Sequence, residues 1–270
     1  MLKHPFYCSV VFLLGCATLP NTKYIETEHG GYSYYLWGEH KPTVIFESGL
    51  GDDMTSWSSL ISKVQEVAQV FAYNRAGFRG STSKNNARNG EVIVSELRAL
   101  LARLGLEPPY VLVGHSLGGV YMELYARTYP QEVAGVVLVD PNSAKYSAQC
   151  KRIGLKYCDP PTAMPKWAAW LYPPAVEGEI KGFSTTHNQI NAINTFPNVP
   201  LAVLSATNIN KRQTEEERLG SELYVKMHKE MAALSTQSQF IACDTCGHYI
   251  QEDDPTMVIN AIKWVLSKTN

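Results

Sequence analysis

Short apolar runs alternate along the chain with longer segments in which apolar residues recur every three or four positions. The runs YSYYLW (32–37), TVIFE (43–47), VFAY (70–73), YVLVG (110–114), VAGVVLVD (133–140), PLAVLSA (200–206) and QFIAC (239–243) read as strands. Between them, residues 54–67, 91–106, 119–130, 215–235 and 255–268 carry the helical spacing, and the segment 91–106 ends just before Pro108. Most of the strands lack polar alternation, as expected where both faces of a sheet are covered. The pattern therefore predicts an α/β fold, with a mostly parallel central sheet and helices on both faces.

Residues 141 to about 198 interrupt the rhythm. They are rich in Pro, Trp and Tyr and fall between two core strands. An insertion at the carboxyl end of a sheet strand lies over the crevice where open α/β sheets bind ligands, so this segment is read as a small lid with brief helices. Trp167, Trp170, Leu171 and Tyr172 either line an acyl pocket or form the lid's own core.

Composition narrows the class. With 270 residues, 45% hydrophobic and 18% charged, the chain is long enough for one large core and is neither membrane-embedded nor disordered. A net charge of -1 offers no basic field for phosphates, which argues against nucleic acid as a partner.

The amino terminus changes the compartment. Lys3 and His4 precede an apolar stretch, Phe6 to Leu14, that is too short for a bilayer span of about 20 residues. Leu13-Leu14-Gly15-Cys16 resembles the lipobox of bacterial lipoprotein signal peptides, in which the cysteine is acylated. That resemblance implies a signal peptide over 1–15, a tether over 16–23 and a globular domain over 24–270, held by an N-terminal lipid on the periplasm-facing cell envelope. Cleavage after Ala17 and an uncleaved anchor are the alternatives.

Cys8 leaves with such a signal, and four of the six cysteines remain beyond Cys16. An oxidising compartment favours disulfides, and proximity in sequence favours Cys150 with Cys158 and Cys243 with Cys246. Their spacing is not that of common structural zinc sites. The CDTC run has the form of a redox motif, but it follows an apolar strand instead of opening a helix, so a structural clip is the better reading.

The stretch YVLVGHSLGGVYM (110–122) carries the candidate chemistry. Ser116 stands between a strand and a helix with Gly114 and Gly118 on either side, as a strained strand-turn-helix corner requires. An acid at a strand end (Asp140) and a histidine after the last strand (His248) follow in chain order. With FESGLGDDMTSW, YNRAGFRGS, GHSLGG, VVLVDP and GHYIQEDDP in sequence, residues 24–268 resemble the α/β-hydrolase superfamily.

That resemblance implies roles. Ser116 is the expected nucleophile and His248 its base, being on the loop between the final strand and helix. The backbone N–H groups of Leu117 and Leu50 are the expected oxyanion donors. Most relatives carry the acid after the strand equivalent to PLAVLSA, where this chain reads Thr207-Asn208-Ile209-Asn210. Asp140 is therefore favoured, with the Glu215 to Glu217 run and Asp244 as alternatives. Glu47 is read as orienting its loop, and Arg75 and Arg79 as surface or scaffolding residues. The implied activity is hydrolysis of carboxylic esters with neutral, mostly apolar acyl groups, without cofactor or metal. Lactone, thioester, amide or C–C hydrolysis on the same residues, and an inactive binding lipoprotein, are the alternatives.

Overall fold

The computed structural model describes residues 19–85, 87–156, 158–160, 162–164, 171–208 and 214–269. The segment around Cys16, and Trp167 and Trp170, lie outside the described residues. Eight strands form one sheet: β1 Lys23–Thr27, β2 Gly30–Trp37, β3 Thr43–Glu47, β4 Gln69–Tyr73, β5 Tyr110–His115, β6 Val133–Val139, β7 Leu201–Ala206 and β8 Ser238–Cys243. Their spatial order is β1-β2-β4-β3-β5-β6-β7-β8. The β1–β2 and β2–β4 pairs are antiparallel and every other pair is parallel.

The helices are α1 Ser58–Val64, α2 Gly90–Arg103, α3 Leu117–Thr128, α4 Tyr146–Arg152, α5 Pro174–Ala192, α6 Glu215–Ala232, α7 Ile250–Asp253 and α8 Pro255–Leu266. They cover both faces of the sheet, and β5 shows how. Tyr110 and Leu112 join one apolar layer with residues of α2 and α3, whereas Val111 and Val113 join the other with residues of α1 and α8. Side chains alternate between faces along a strand. A strand buried on both faces must therefore be apolar throughout, which is why YVLVG has no polar alternation.

Several elements differ from the sequence expectation, among them the short helix α7, which the apolar spacing did not mark. Strand β1 was not marked by the apolar pattern, because KYIET is an edge strand with mostly exposed positions, and it is recruited by pairing with β2. The helix expected over 54–67 begins as a 3-10 turn, Met54–Trp57, capped by Asp53, and ends at Val64. The insertion does not contain only brief helices: α5 runs for 19 residues. Its stripe of Val176, Ile180, Phe183, His187 and Ile190 has helical spacing, but Gly178, Gly182, Thr185 and Thr186 dilute the signal.

Both local cysteine pairs are bonded, Cys150 to Cys158 and Cys243 to Cys246, each with Cα atoms 5.4 Å apart. The first packs with Tyr146, Leu223 and Met227 between α4 and α6, and the second lies just ahead of His248. The insertion occupies the β6–β7 connection. The carboxyl ends of β3, β5, β6 and β8 thus deliver residues 48–50, Ser116, Asp140 and His248 to one end of the sheet.

Candidate active site

Ser116 links β5 to α3 with φ 52° and ψ −119°, a conformation that L-residues rarely adopt. Close packing permits no looser corner. A Cβ on Gly114 would lie 2.6 Å from the carbonyl oxygen of Gly118, and one on Gly118 would lie 2.3 Å from that of Glu47. The backbone of Ser116 is also pinned, its N–H donating to Val139 O (3.1 Å) and its carbonyl accepting from Gly119 and Asn142 (3.1 Å each).

The serine hydroxyl is 2.9 Å from His248 Nε2, and His248 Nδ1 is 2.7 Å from Asp140 Oδ2. An ionised carboxylate only accepts, so Nδ1 carries the ring proton and Nε2 is left free to accept from the Ser116 hydroxyl. Asp140 is itself in a left-handed conformation, φ 41°. Its N–H donates to Leu204 O (2.9 Å), and its Oδ1 accepts from the Ala206 N–H (2.8 Å). Burial alone would raise the Asp140 pKa, but the bonds and charge from His248, the nearby His228 and the Ala206 N–H outweigh it, and the net shift is downward. The aspartate is thereby kept ionised beside the imidazole.

The other acids considered are elsewhere. Glu215 pairs with Arg218, Glu216 accepts from the Lys156 N–H, and Glu217 closes a capping box with Thr214 at the start of α6. Asp244 is exposed on the loop before His248.

His115 is buried beside the serine, its ring centroid 4.7 Å from that of His248. Burial, and secondarily the charge of His248, lowers its pKa to about 3, so it is neutral. Its Nε2–H donates to the His248 carbonyl (2.9 Å) and steadies the loop. Asp52, close by, is pushed up to about 6, chiefly by burial. His228 bonds Ser205 Oγ (2.7 Å) and Pro141 O (2.8 Å), bracing the turn next to Asp140.

The two segments that carry the expected oxyanion donors lie against each other. Leu117 opens α3, whose amino end carries partial positive charge. The close approach of Gly118 to the carbonyls of Glu47 and Ser48 brings the loop containing Leu50 against that helix end. Leu50 packs with Phe78, Tyr172, Val176 and Ile180, an apolar wall contributed largely by the insertion. Leu171 is exposed.

Arg75 is a scaffolding residue, not a surface one: its guanidinium is buried between Glu47 (2.7 Å) and Glu179 (2.7 Å). Arg79 is exposed and pairs with Asp53 (2.6 Å). Glu47 also accepts from the Tyr73 hydroxyl. The sequence reading missed Glu179, which lies in the insertion far from every motif. It missed the bracing roles of His228 and Ala206 as well, since neither follows from residue type.

A family model described as alpha/beta hydrolase fold matches residues 42–174. The chain is similar to the uncharacterized protein YqjL of Bacillus subtilis, 28% identical over 228 residues that cover 83% of each chain. Among solved structures, it resembles a thermophilic esterase from Thermogutta terrifontis, with a TM-score of 0.67 and 20% identity over 92% of this chain and 99% of that one. It also resembles the enol-lactonase from Burkholderia xenovorans, with a TM-score of 0.60 and 16% identity over 91% and 100%.

Proposed function

Because the chain has the α/β-hydrolase fold, we propose that it is a serine hydrolase cleaving carboxylic esters of neutral, mostly apolar acyl groups through an acyl-enzyme. The observation that carries this reading is the continuous hydrogen-bonded line from Ser116 Oγ through His248 to Asp140, at 2.9 and 2.7 Å.

In this reading, Ser116 Oγ attacks the ester carbonyl carbon while its proton passes to His248 Nε2. Asp140 holds the imidazole in the required tautomer and stabilises the imidazolium that forms. Negative charge develops on the carbonyl oxygen and accepts hydrogen bonds from the Leu50 and Leu117 N–H groups, assisted by the α3 amino end. The tetrahedral intermediate collapses, the C–O bond to the leaving alcohol breaks, and the alcohol oxygen takes the proton from His248. Water then attacks the acyl-serine with His248 again as base, releasing the acid and restoring the Ser116 hydroxyl. The apolar wall around Leu50, Phe78 and Tyr172 suits an uncharged acyl chain, since an unpaired charge there would lose its hydration. We further propose that the enzyme works at the cell envelope, tethered through an acylated Cys16.

Labelling with a fluorophosphonate probe tests the nucleophile. The intact chain should gain one adduct, mapped to Ser116, and Ser116→Ala should gain none while losing ester turnover. An adduct that survives the substitution would refute the assignment. Intact mass of membrane-extracted protein tests the tether: a chain starting at diacylated Cys16 is expected, and an unprocessed cytoplasmic chain would refute it.

A further inference from the structure

We propose that Glu179, in the middle of α5, is a positioning residue that aims the Leu50 N–H, acting through Arg75. The inference rests on the serine-hydrolase reading, in which Leu50 supplies an oxyanion donor.

The Arg75 side chain has five N–H donors in a rigid plane. The structure engages each nitrogen of that fork. Nε donates to Glu179 Oε1 (2.7 Å), Nη1 to Glu47 Oε1 (2.7 Å) and Ser48 O (2.6 Å), and Nη2 to Glu179 Oε2 (2.9 Å) and Gly49 O (2.8 Å). The guanidinium also lies over the rings of Phe78 (4.9 Å) and Tyr121 (5.5 Å). Arg75, Glu47 and Glu179 are 3%, 1% and 0% exposed, so water cannot replace a lost partner.

The bond to Gly49 O reaches the proposed site through the peptide plane. The Gly49 carbonyl and the Leu50 N–H belong to one trans peptide unit, in which C=O and N–H point in opposite directions. Holding the carbonyl against Nη2 therefore fixes the direction of the Leu50 N–H on the other side. Without Glu179, Nε would lose its partner, and Glu47 would be the one carboxylate left holding the fork against the Ser48 and Gly49 carbonyls. The two-point grip of Glu179 on Nε and Nη2 sets its plane. A buried ion pair gains little net stability over apolar packing of the same volume. What this one supplies is direction, and it supplies it from the insertion. The helix that contributes to the apolar wall beside Leu50 thus also sets the proposed oxyanion donor.

The test compares full-length wild type with Glu179→Gln, which keeps the volume and loses the charge, and Glu179→Asp, which keeps the charge and shortens the reach. We expect kcat on p-nitrophenyl butyrate to fall about 10- to 100-fold, less than or similar to the cost of removing an oxyanion donor outright. KM should change little, and affinity for an alkyl trifluoromethyl ketone, which binds Ser116 as an oxyanion adduct, should fall in parallel with kcat. The acid limb of the pH profile of kcat/KM should stay in place. Amide hydrogen exchange should quicken in the peptide spanning residues 48–52 and not in β5. A folded variant of either type with wild-type kcat and ketone affinity would overturn the proposal, as would a rise in KM alone. If the wild type hydrolyses no ester, the functional reading fails by itself. The positioning claim is then decided by exchange: faster exchange in 48–52 supports it, and unchanged exchange in both variants overturns it.

Discussion

His248 Nδ1 lies 2.7 Å from Asp140 Oδ2, joining residues 108 positions apart in the chain. Asp140 reaches it from the end of β6, while the end of β7 contributes the Ala206 N–H to the same carboxylate. The carboxyl is therefore held from two strands, and His228 braces the turn that follows it. Such a second layer matters because an imidazole is useful as a base only in one tautomer and one orientation.

Replacing Asp140 by Asn should lower kcat by about three to four powers of ten, by analogy with other triads, because the amide can present an N–H to Nδ1 and favour the wrong tautomer. Glu215→Gln and Glu217→Gln, on the exposed start of α6, should leave kcat within about twofold. Steady-state kinetics on an activated ester decides, and the reverse ranking would move the acid to α6.

Gly118→Ala should damage both folding and activity. The added methyl would sit 2.3 Å from Glu47 O and 2.5 Å from Ser48 O, both backbone atoms. Relief requires moving the loop that carries Leu50 away from α3. Overpacking of this kind costs roughly 1–3 kcal/mol. Thermal denaturation should show a lower Tm, with kcat reduced beyond what the fraction folded explains; a variant with wild-type Tm and kcat would contradict the packing argument.

Stability should decline as pH falls below about 6.5. Burial holds His115 at about 3 and His187 at about 4, so between those values and the unfolded histidine pKa of about 6.5 the unfolded chain binds protons that the folded chain does not. Their contribution is complete above the unfolded pKa and is lost on acidification, at up to about 1.4 kcal/mol per pH unit for each histidine. Asp52, raised to about 6, works the other way between pH 6 and its unfolded value and offsets part of the slope. Urea unfolding at pH 7.5, 6 and 5 should give falling midpoints, with a shallower fall in His187→Gln. A midpoint independent of pH would mean that the histidines are not buried as neutral rings.

Acyl length should show an optimum. Each methylene buried against Leu50, Phe78 and Val176 contributes about 0.8 kcal/mol, close to fourfold in kcat/KM, until the wall is covered. On p-nitrophenyl esters, kcat/KM should rise from acetate to a short or medium chain and then fall, with the maximum below about ten carbons. A steady gain toward long-chain triglyceride, or a preference for charged acyl groups, would show that the apolar wall does not receive the acyl chain.

Much of this architecture was legible in local pattern. The unbroken apolar run at 110–114 forms β5, and the helical spacing at 255–268 largely forms α8, because each depends on neighbours a few residues away. The cysteines paired as proximity suggests, within separations of 8 and 3 residues. The reading failed where local signal was weak. Lys23–Thr27 became a strand by pairing with β2, and α5 formed through a glycine- and threonine-rich stretch because its stripe found an apolar surface to cover.

By itself, then, the sequence determined the order of the core strands and of most helices that cover them, and the tight corner at Ser116, which the two flanking glycines impose over five residues. It left open which carboxylate meets His248 and what Arg75 does. Those depended on the strand order β3-β5-β6-β7-β8, which sets side by side the ends of strands that are far apart in the chain. Only the folded sheet places Asp140 within reach of His248, and only the return of α5 over the loop after β3 brings Glu179 to Arg75. Periodicity records the contacts a segment makes with its neighbours in sequence. A hydrogen bond between residues 104 or 108 positions apart leaves no such record, because its partners are chosen by packing of the whole domain.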